Sequence, residues 1–157
     1  MATWQFTINL IPNEWAIKHN NNFAPLYNED GYDTDMTWIN HQPTTNFKEL
    51  FTAILPQSKS WSKNMLCWGK EDEHDIQVLY QDNKVEGIGL RLDLNQNLKE
   101  ILTSFVNLAN NLDCVFFFPE YKEITKATET ELIKALKKSR AASFVKDPYG
   151  YLNELQN

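Results

Sequence analysis

Along the chain the spacing of apolar positions switches between a period of two and a period near 3.6, and the switches mark out the elements. Trp4, Phe6, Ile8 and Leu10 alternate with Thr3, Gln5, Thr7 and Asn9, which predicts a strand with one buried face, stopped by Pro12. The alternation then disappears. Residues 13–45 are rich in Asn and Thr and carry Pro25, Gly31 and Pro43, so they predict a long irregular region with short helices at Asn13–Lys18 and 35–41. Trp15, Phe23, Tyr27, Tyr32 and Trp38 are spaced to pin that region onto the core. A long loop held down in this way is a place to look for function.

Order returns at Asn46, which can cap a helix with Glu49 three residues on; Phe47, Leu50, Phe51, Ile54 and Leu55 form its apolar stripe and Pro56 ends it. "MLCW" and "HDIQVLY" read as strands. A turn at 81–84, "QDNK", joins the second of them to "VEGIGLRLDL" as a hairpin. There Ile88, Leu90, Leu92 and Leu94 share one face, and Gly87, Gly89, Arg91 and Asp93 the other. The clearest helix spans 97–113, with Leu98, Ile101, Leu102, Phe105, Leu108, Ala109 and Leu112 on one side and Asn97 with Glu100 as its cap. "CVFFF" is apolar throughout, as expected of a central strand covered on both faces. Thr128 and Glu131 make a second capping box, opening a helix to about 139. Asp147 followed by Pro148 opens a last one.

Strands gather in a meander ahead of the helices, which predicts an α+β fold. Its mostly antiparallel sheet of about four to five strands packs against two to four helices. The 157 residues suit one domain, 1–157, with the irregular region at about 13–45 inside it. Apolar residues are 42% and aromatic residues 13%, which argues for a folded core rather than disorder. No run approaches the roughly 20 apolar residues of a membrane helix. "MATWQFTINL" lacks the basic start and apolar stretch of a secretory signal. The expectation is a cytoplasmic protein without a membrane partner. Cys67 and Cys114 lie far apart without a paired motif and are expected to be reduced, buried thiols.

Charge sharpens the picture. The net charge is −6, and residues 28–95, with twelve acids against six bases, hold an excess equal to all of it. An acidic middle without a Lys/Arg footprint speaks against nucleic-acid binding and for a protein partner with a basic surface, or for solubility alone. Two clusters carry the acids. In "YNEDGYDTDMTW" (27–38), Asp30, Asp33 and Asp35 stand beside Tyr32 and Trp38. An EF-hand is excluded there, because aligning Gly31 to the invariant glycine puts Leu26 and Thr37 at the two anchor ligand positions. In "WGKEDEHD", Glu71, Asp72, Glu73 and Asp75 surround His74. That segment reads as a solvated turn, a partner contact or a metal site, although consecutive side chains diverge too much to meet on one ion.

Nucleophilic chemistry has little support. His19, His41 and His74 lie in polar segments, and a Ser-x-x-Lys at Ser60–Lys63 stands alone in an exposed linker. "GIG" at 87–89 sits within a strand and lacks the helix start that phosphate binding requires; its glycines are expected to allow close packing. Arg91 and Asp93 could pair with each other or with a helix.

"WGKEDEHDIQV", "GLRLDL", "NLDCVFFFPE" and "SRAASFVKDPYGYL", in that order over roughly residues 60–155, resemble a group of small single-domain bacterial proteins. Some of these look like immunity proteins of polymorphic toxin or contact-dependent inhibition systems. "IPNEW…LYNEDGYD…W" extends the likeness toward the N-terminus. The shared motifs are largely structural and imply no catalytic residues. The expectation is therefore a toxin-neutralising immunity protein, not an enzyme and without cofactor or metal, whose acidic face occludes a basic active site. Its partner-binding residues would be Asp30, Asp33, Asp35, Glu71, Asp72, Glu73 and Asp75, with Tyr32 and Trp38 as exposed aromatic anchors. The rival expectations are a small metal-dependent hydrolase using the same carboxylates, or an assembly protein unrelated to toxins.

Overall fold

The computed structural model describes residues 2–145 and 148–156. The fold is α+β, with six helices, a seven-stranded antiparallel sheet and a separate two-stranded hairpin among the described residues. In chain order the elements are β1 (Gln5–Pro12), α1 (Asn13–Lys18), β2 (Tyr27–Asn28), β3 (Gly31–Tyr32), α2 (Asp35–Trp38) and α3 (Phe47–Thr52). Then come β4 (Gln57–Ser58), β5 (Met65–Gly69), β6 (Asp75–Gln81), β7 (Lys84–Asp93) and α4 (Lys99–Asn111). The chain ends with β8 (Cys114–Phe118), β9 (Glu123–Thr125), α5 (Glu129–Lys137) and α6 (Pro148–Gln156). No helix among the described residues is long and apolar enough to cross a membrane.

The main sheet runs β4-β5-β6-β7-β1-β8-β9, so the N-terminal strand is inserted between the hairpin and the later pair. The strand count exceeds the expected four to five because β4 and β9 are only two and three residues long, too short to show alternation. Asp82 and Asn83, both at positive φ (53° and 61°), make the two-residue turn that joins β6 to β7 with the twist a hairpin needs. The caps at Asn46 and Thr128 form as expected, each side chain accepting from the N–H three residues on. Asn97 accepts from the N–H of Lys99 instead of Glu100, and Asp147 lies outside the described residues.

Period two in β1 sends Phe6, Ile8 and Leu10 to one face, where Ile76, Val78, Ile88, Leu90, Phe116 and Phe118 join them under α3, α4 and α5. That cluster extends to Leu152 of α6. The opposite face is covered only in part. Ile11, Val115 and Phe117 pack there against Trp15, Ala16 and Leu26 of the N-terminal irregular region, forming a second small core. This explains the unbroken apolarity of β8: all five of its residues are buried, alternately toward the two cores. Among the described residues this second core does not extend beyond β1. The strands there present Thr7, Asn9, Gln77, Gly87, Gly89 and Arg91 to an open surface.

Candidate functional site

The open face is hollowed into three adjoining cavities of about 300, 450 and 370 Å³, and Gln77 of β6 touches all of them. At their floor Asp75 and Arg91 stand directly opposite on β6 and β7. Arg91 Nε donates to Asp75 Oδ1 at 2.7 Å and its terminal NH2 group donates to Oδ2. The two side chains are only 4% and 12% exposed. Burial pushes the Asp75 carboxyl up from its ordinary value, against the pull of the Arg91 bonds, while those bonds hold Arg91 firmly protonated. Both members being satisfied, the pair is a fixed feature of the floor.

The alignment of this pair depends on a bulge. Gln81 opposes Lys84 and Tyr80 opposes Val85, but Leu79 opposes Gly87, so the pairing skips Glu86. Without that skip Asp75 would face Leu90, on the wrong side of the sheet. A trace of the bulge exists in the sequence. Val85 and Ile88 both point into the main core although they are three residues apart. Arg91 therefore pairs with Asp75 rather than with Asp93, whose carboxylate accepts from the N–H of Asn95 at 2.9 Å.

Two margins flank the cavities. One is the "YNEDGYDTDMTW" segment, which folds into the β2–β3 hairpin and runs on into α2. Asn28 Oδ1 accepts from Asp30 N and Asp33 Oδ1 from Asp35 N, while Asp33 N donates to Leu26 O at 2.8 Å. Asp30, Asp33 and Asp35 are exposed, and Asp33 lines the first cavity. Tyr32, 42% exposed, leans its ring edge-on against Phe117, and its hydroxyl accepts from Asn9 Nδ2. Trp38 does not fit the expectation of an exposed anchor. At 1% exposure it is part of the main core, because α2 lies against β7 and β1 and turns its apolar side inward.

The other margin is the β5–β6 turn. Gly69 starts it at φ +79°, where a Cβ would lie 2.3 Å from the His74 carbonyl oxygen, so only glycine fits. Gln5, itself buried, donates through Nε2 to the carbonyls of Glu71 and Glu73, and Trp4 Nε1 donates to that of Asp72. The main chain of the turn is thus tied to β1 from a distance in sequence, while the Glu71 and Asp72 side chains line the third cavity. Glu73 is half-buried, and Asp75 is withdrawn into its pair with Arg91. Asp75 therefore cannot act as an exposed partner contact. His74 is buried as well. Its Nδ1 accepts from Asp93 N at 2.9 Å, and burial pushes the imidazole below its ordinary value.

Bases share these margins: Lys59 and Lys70 near Glu71, and Lys122 and Arg140 around the second cavity, Arg140 paired to Glu120. Sequence reasoning passed over Trp61, which is 79% exposed at the edge of the third cavity. Its isolation in the polar run "SKSWSK" was the available signal. Ser60 and Ser62 bond to each other through side chain and backbone, a local turn motif rather than a catalytic pair. Cys67 and Cys114 are both free and buried, and burial raises both thiols above their ordinary values, which keeps them unreactive. Among the described residues no group of three or more His, Cys, Asp or Glu side chains is placed to hold a metal ion. Comparison of the chain with protein-family models, curated proteins and solved structures finds no match.

Proposed function

We propose that the chain is a binding protein that docks a basic protein partner on the open sheet face, and that the partner is a toxin which it neutralises by occlusion. One observation carries this reading. Two acidic segments far apart in sequence border one hollow, preformed surface, with Asp33 at one margin and Glu71 and Asp72 at the other. A rigid sheet floor needs little ordering on binding, and exposed carboxylates at its rim favour fast encounter with a basic site. Toxins that cut nucleic acid need such a site to hold phosphate, so covering it would silence them. Trp61 and Tyr32 supply large, partly apolar contact area on either side, as interface anchors do. Lys59, Lys70, Lys122 and Arg140 would restrict the partner to one whose charge pattern matches. A metal-dependent hydrolase is the weaker reading, because Asp75 is engaged by Arg91 and His74 by the backbone of Asp93.

The test is to search the neighbouring genes for a large secreted protein with a variable C-terminal domain and to co-express that domain with this chain. The wild type is expected to restore growth. Replacing Asp30, Asp35, Glu71 and Asp72 by their amides is expected to abolish rescue, to weaken binding about 10–100-fold and to flatten its salt dependence. Unchanged rescue and salt dependence would remove the acidic margins from the mechanism.

A further inference from the structure

Gly89 has no structural need to be glycine. It lies in β7 between Asn9 and Gln77 on the neighbouring strands, and its φ is not in the left-handed region. A Cβ built there would meet only Asn9 Oδ1 at 3.9 Å and the Gln77 carbonyl oxygen at 4.0 Å, ordinary contacts. Its neighbour Gly87 differs, since a Cβ there would come within 3.3 Å of Thr34 Oγ1. Glycine within a strand costs about 0.5–1 kcal/mol against a residue with a side chain. At Gly89 the packing gives no return for that cost. What its bare backbone does provide is the floor of the first cavity, about 300 Å³ in volume.

The walls around that floor are chemically uneven. Met65 and Leu79 are apolar, with Leu79 half exposed, and the Tyr32 ring closes one side. The unpaired charge among the lining residues is Asp33; the Arg91 guanidinium is already held by Asp75. An open cavity with an apolar side, one carboxylate and an aromatic ring suits a long aliphatic stem that ends in a cation. We propose that this cavity receives one arginine or lysine side chain of the protein partner. The stem lies over Gly89 beside Leu79, and the cationic head reaches the Asp33 carboxylate beside Tyr32. This rests on the docking reading above and supplies its central contact: a single basic side chain inserted into the sheet face, with the acidic margins around it.

The probe is N-acetyl-arginine N-methylamide, titrated into the labelled full chain and followed by amide chemical shifts. Saturable shifts are expected at Gly87, Gly89, Leu79 and Asp33, with a Kd on the order of 1–10 mM for so small a ligand. The citrulline analogue, equal in shape but uncharged, is expected to give none. Gly89→Val is expected to abolish the shifts while holding or raising Tm, since a β-branched residue favours the strand. Loss of binding with a gain in stability would not arise from a structural defect. Asp33→Asn keeps the Oδ1 acceptor for Asp35 N and is expected to weaken binding about tenfold, so the test stands even if the valine variant folds poorly. Equal shifts in Gly89→Val, equal shifts with citrulline, or no saturable shift in the wild type would each overturn the inference. The docking reading would survive any of them, because its own test changes Asp30, Asp35, Glu71 and Asp72 and leaves this cavity intact.

Discussion

Replacing Arg91 by Met would show what the ion pair on the floor of the site contributes. Asp75 would lose both Arg91 bonds and keep one long contact, from Gln77 Nε2 at 3.4 Å. Its side chain is 4% exposed, so little water can compensate. Orphaning one member of a buried pair costs about 3–5 kcal/mol. Arg91 lines two open cavities, and water entering over the shorter methionine softens the penalty, which places the expected loss near 3 kcal/mol. For a chain of this size that is a fall in Tm of roughly 6–12 °C. The loss must also depend on pH. Without Arg91 the folded-state pKa of Asp75, already raised by burial, rises further above the unfolded value near 3.9, so the folded variant binds the proton more readily. The variant's stability relative to wild type is therefore best at low pH and is lost as pH rises through the folded pKa. Urea unfolding followed by tryptophan fluorescence at pH 5.5 and pH 7.5 would measure both effects. Asp75→Leu combined with Arg91→Met should recover most of the stability at pH 7.5, because no charge is then left buried. A loss under about 1 kcal/mol, equal at both pH values, would refute the account of the pair as a mutually dependent buried unit.

The two tryptophans near the site should separate cleanly: Trp38→Ala, in the core, is expected to cost about 3–5 kcal/mol. Trp61→Ala, at 79% exposure, should stay within about 0.5 kcal/mol while weakening partner binding. Thermal unfolding of both variants, with growth rescue for the second, checks the pair. His74 is expected to make the wild-type fold sensitive to acid. Its folded pKa lies below the unfolded value of about 6.5, so between the two the unfolded chain holds the extra proton; stability is full above that value and declines as pH falls through the window. His74→Asn retains an acceptor for Asp93 N and should flatten the decline in Tm between pH 7 and pH 5.

Local signals in this chain were dependable where one short stretch contains its own cause. Asn46 and Thr128 cap their helices, and Asn13–Lys18 is helical as expected. The Asp82–Asn83 turn joins its hairpin, and the apolar run of β8 is covered on both sides. The same signals failed for elements too short to have a period: β4, β9 and the β2–β3 hairpin each exist only through a neighbouring strand. Burial of polar and aromatic residues was also out of reach. Trp38 and Asp75 sit in acidic, polar stretches that look solvated throughout, yet one enters the core and the other an ion pair.

By itself the sequence determined the α+β class, the face that each long strand turns to the core, and the concentration of negative charge in the middle of the chain, because period and composition are properties of neighbouring residues. The site belongs to tertiary structure. It took the insertion of β1 beside β7 to let Gln5 and Trp4 hold the β5–β6 turn in place. It took the partial cover of the second face to leave the sheet open, and the skipped Glu86 to bring Asp75 opposite Arg91. A one-residue slip reverses every side chain in a strand, so a single bulge placed by long-range packing decides which residues form the floor of the site.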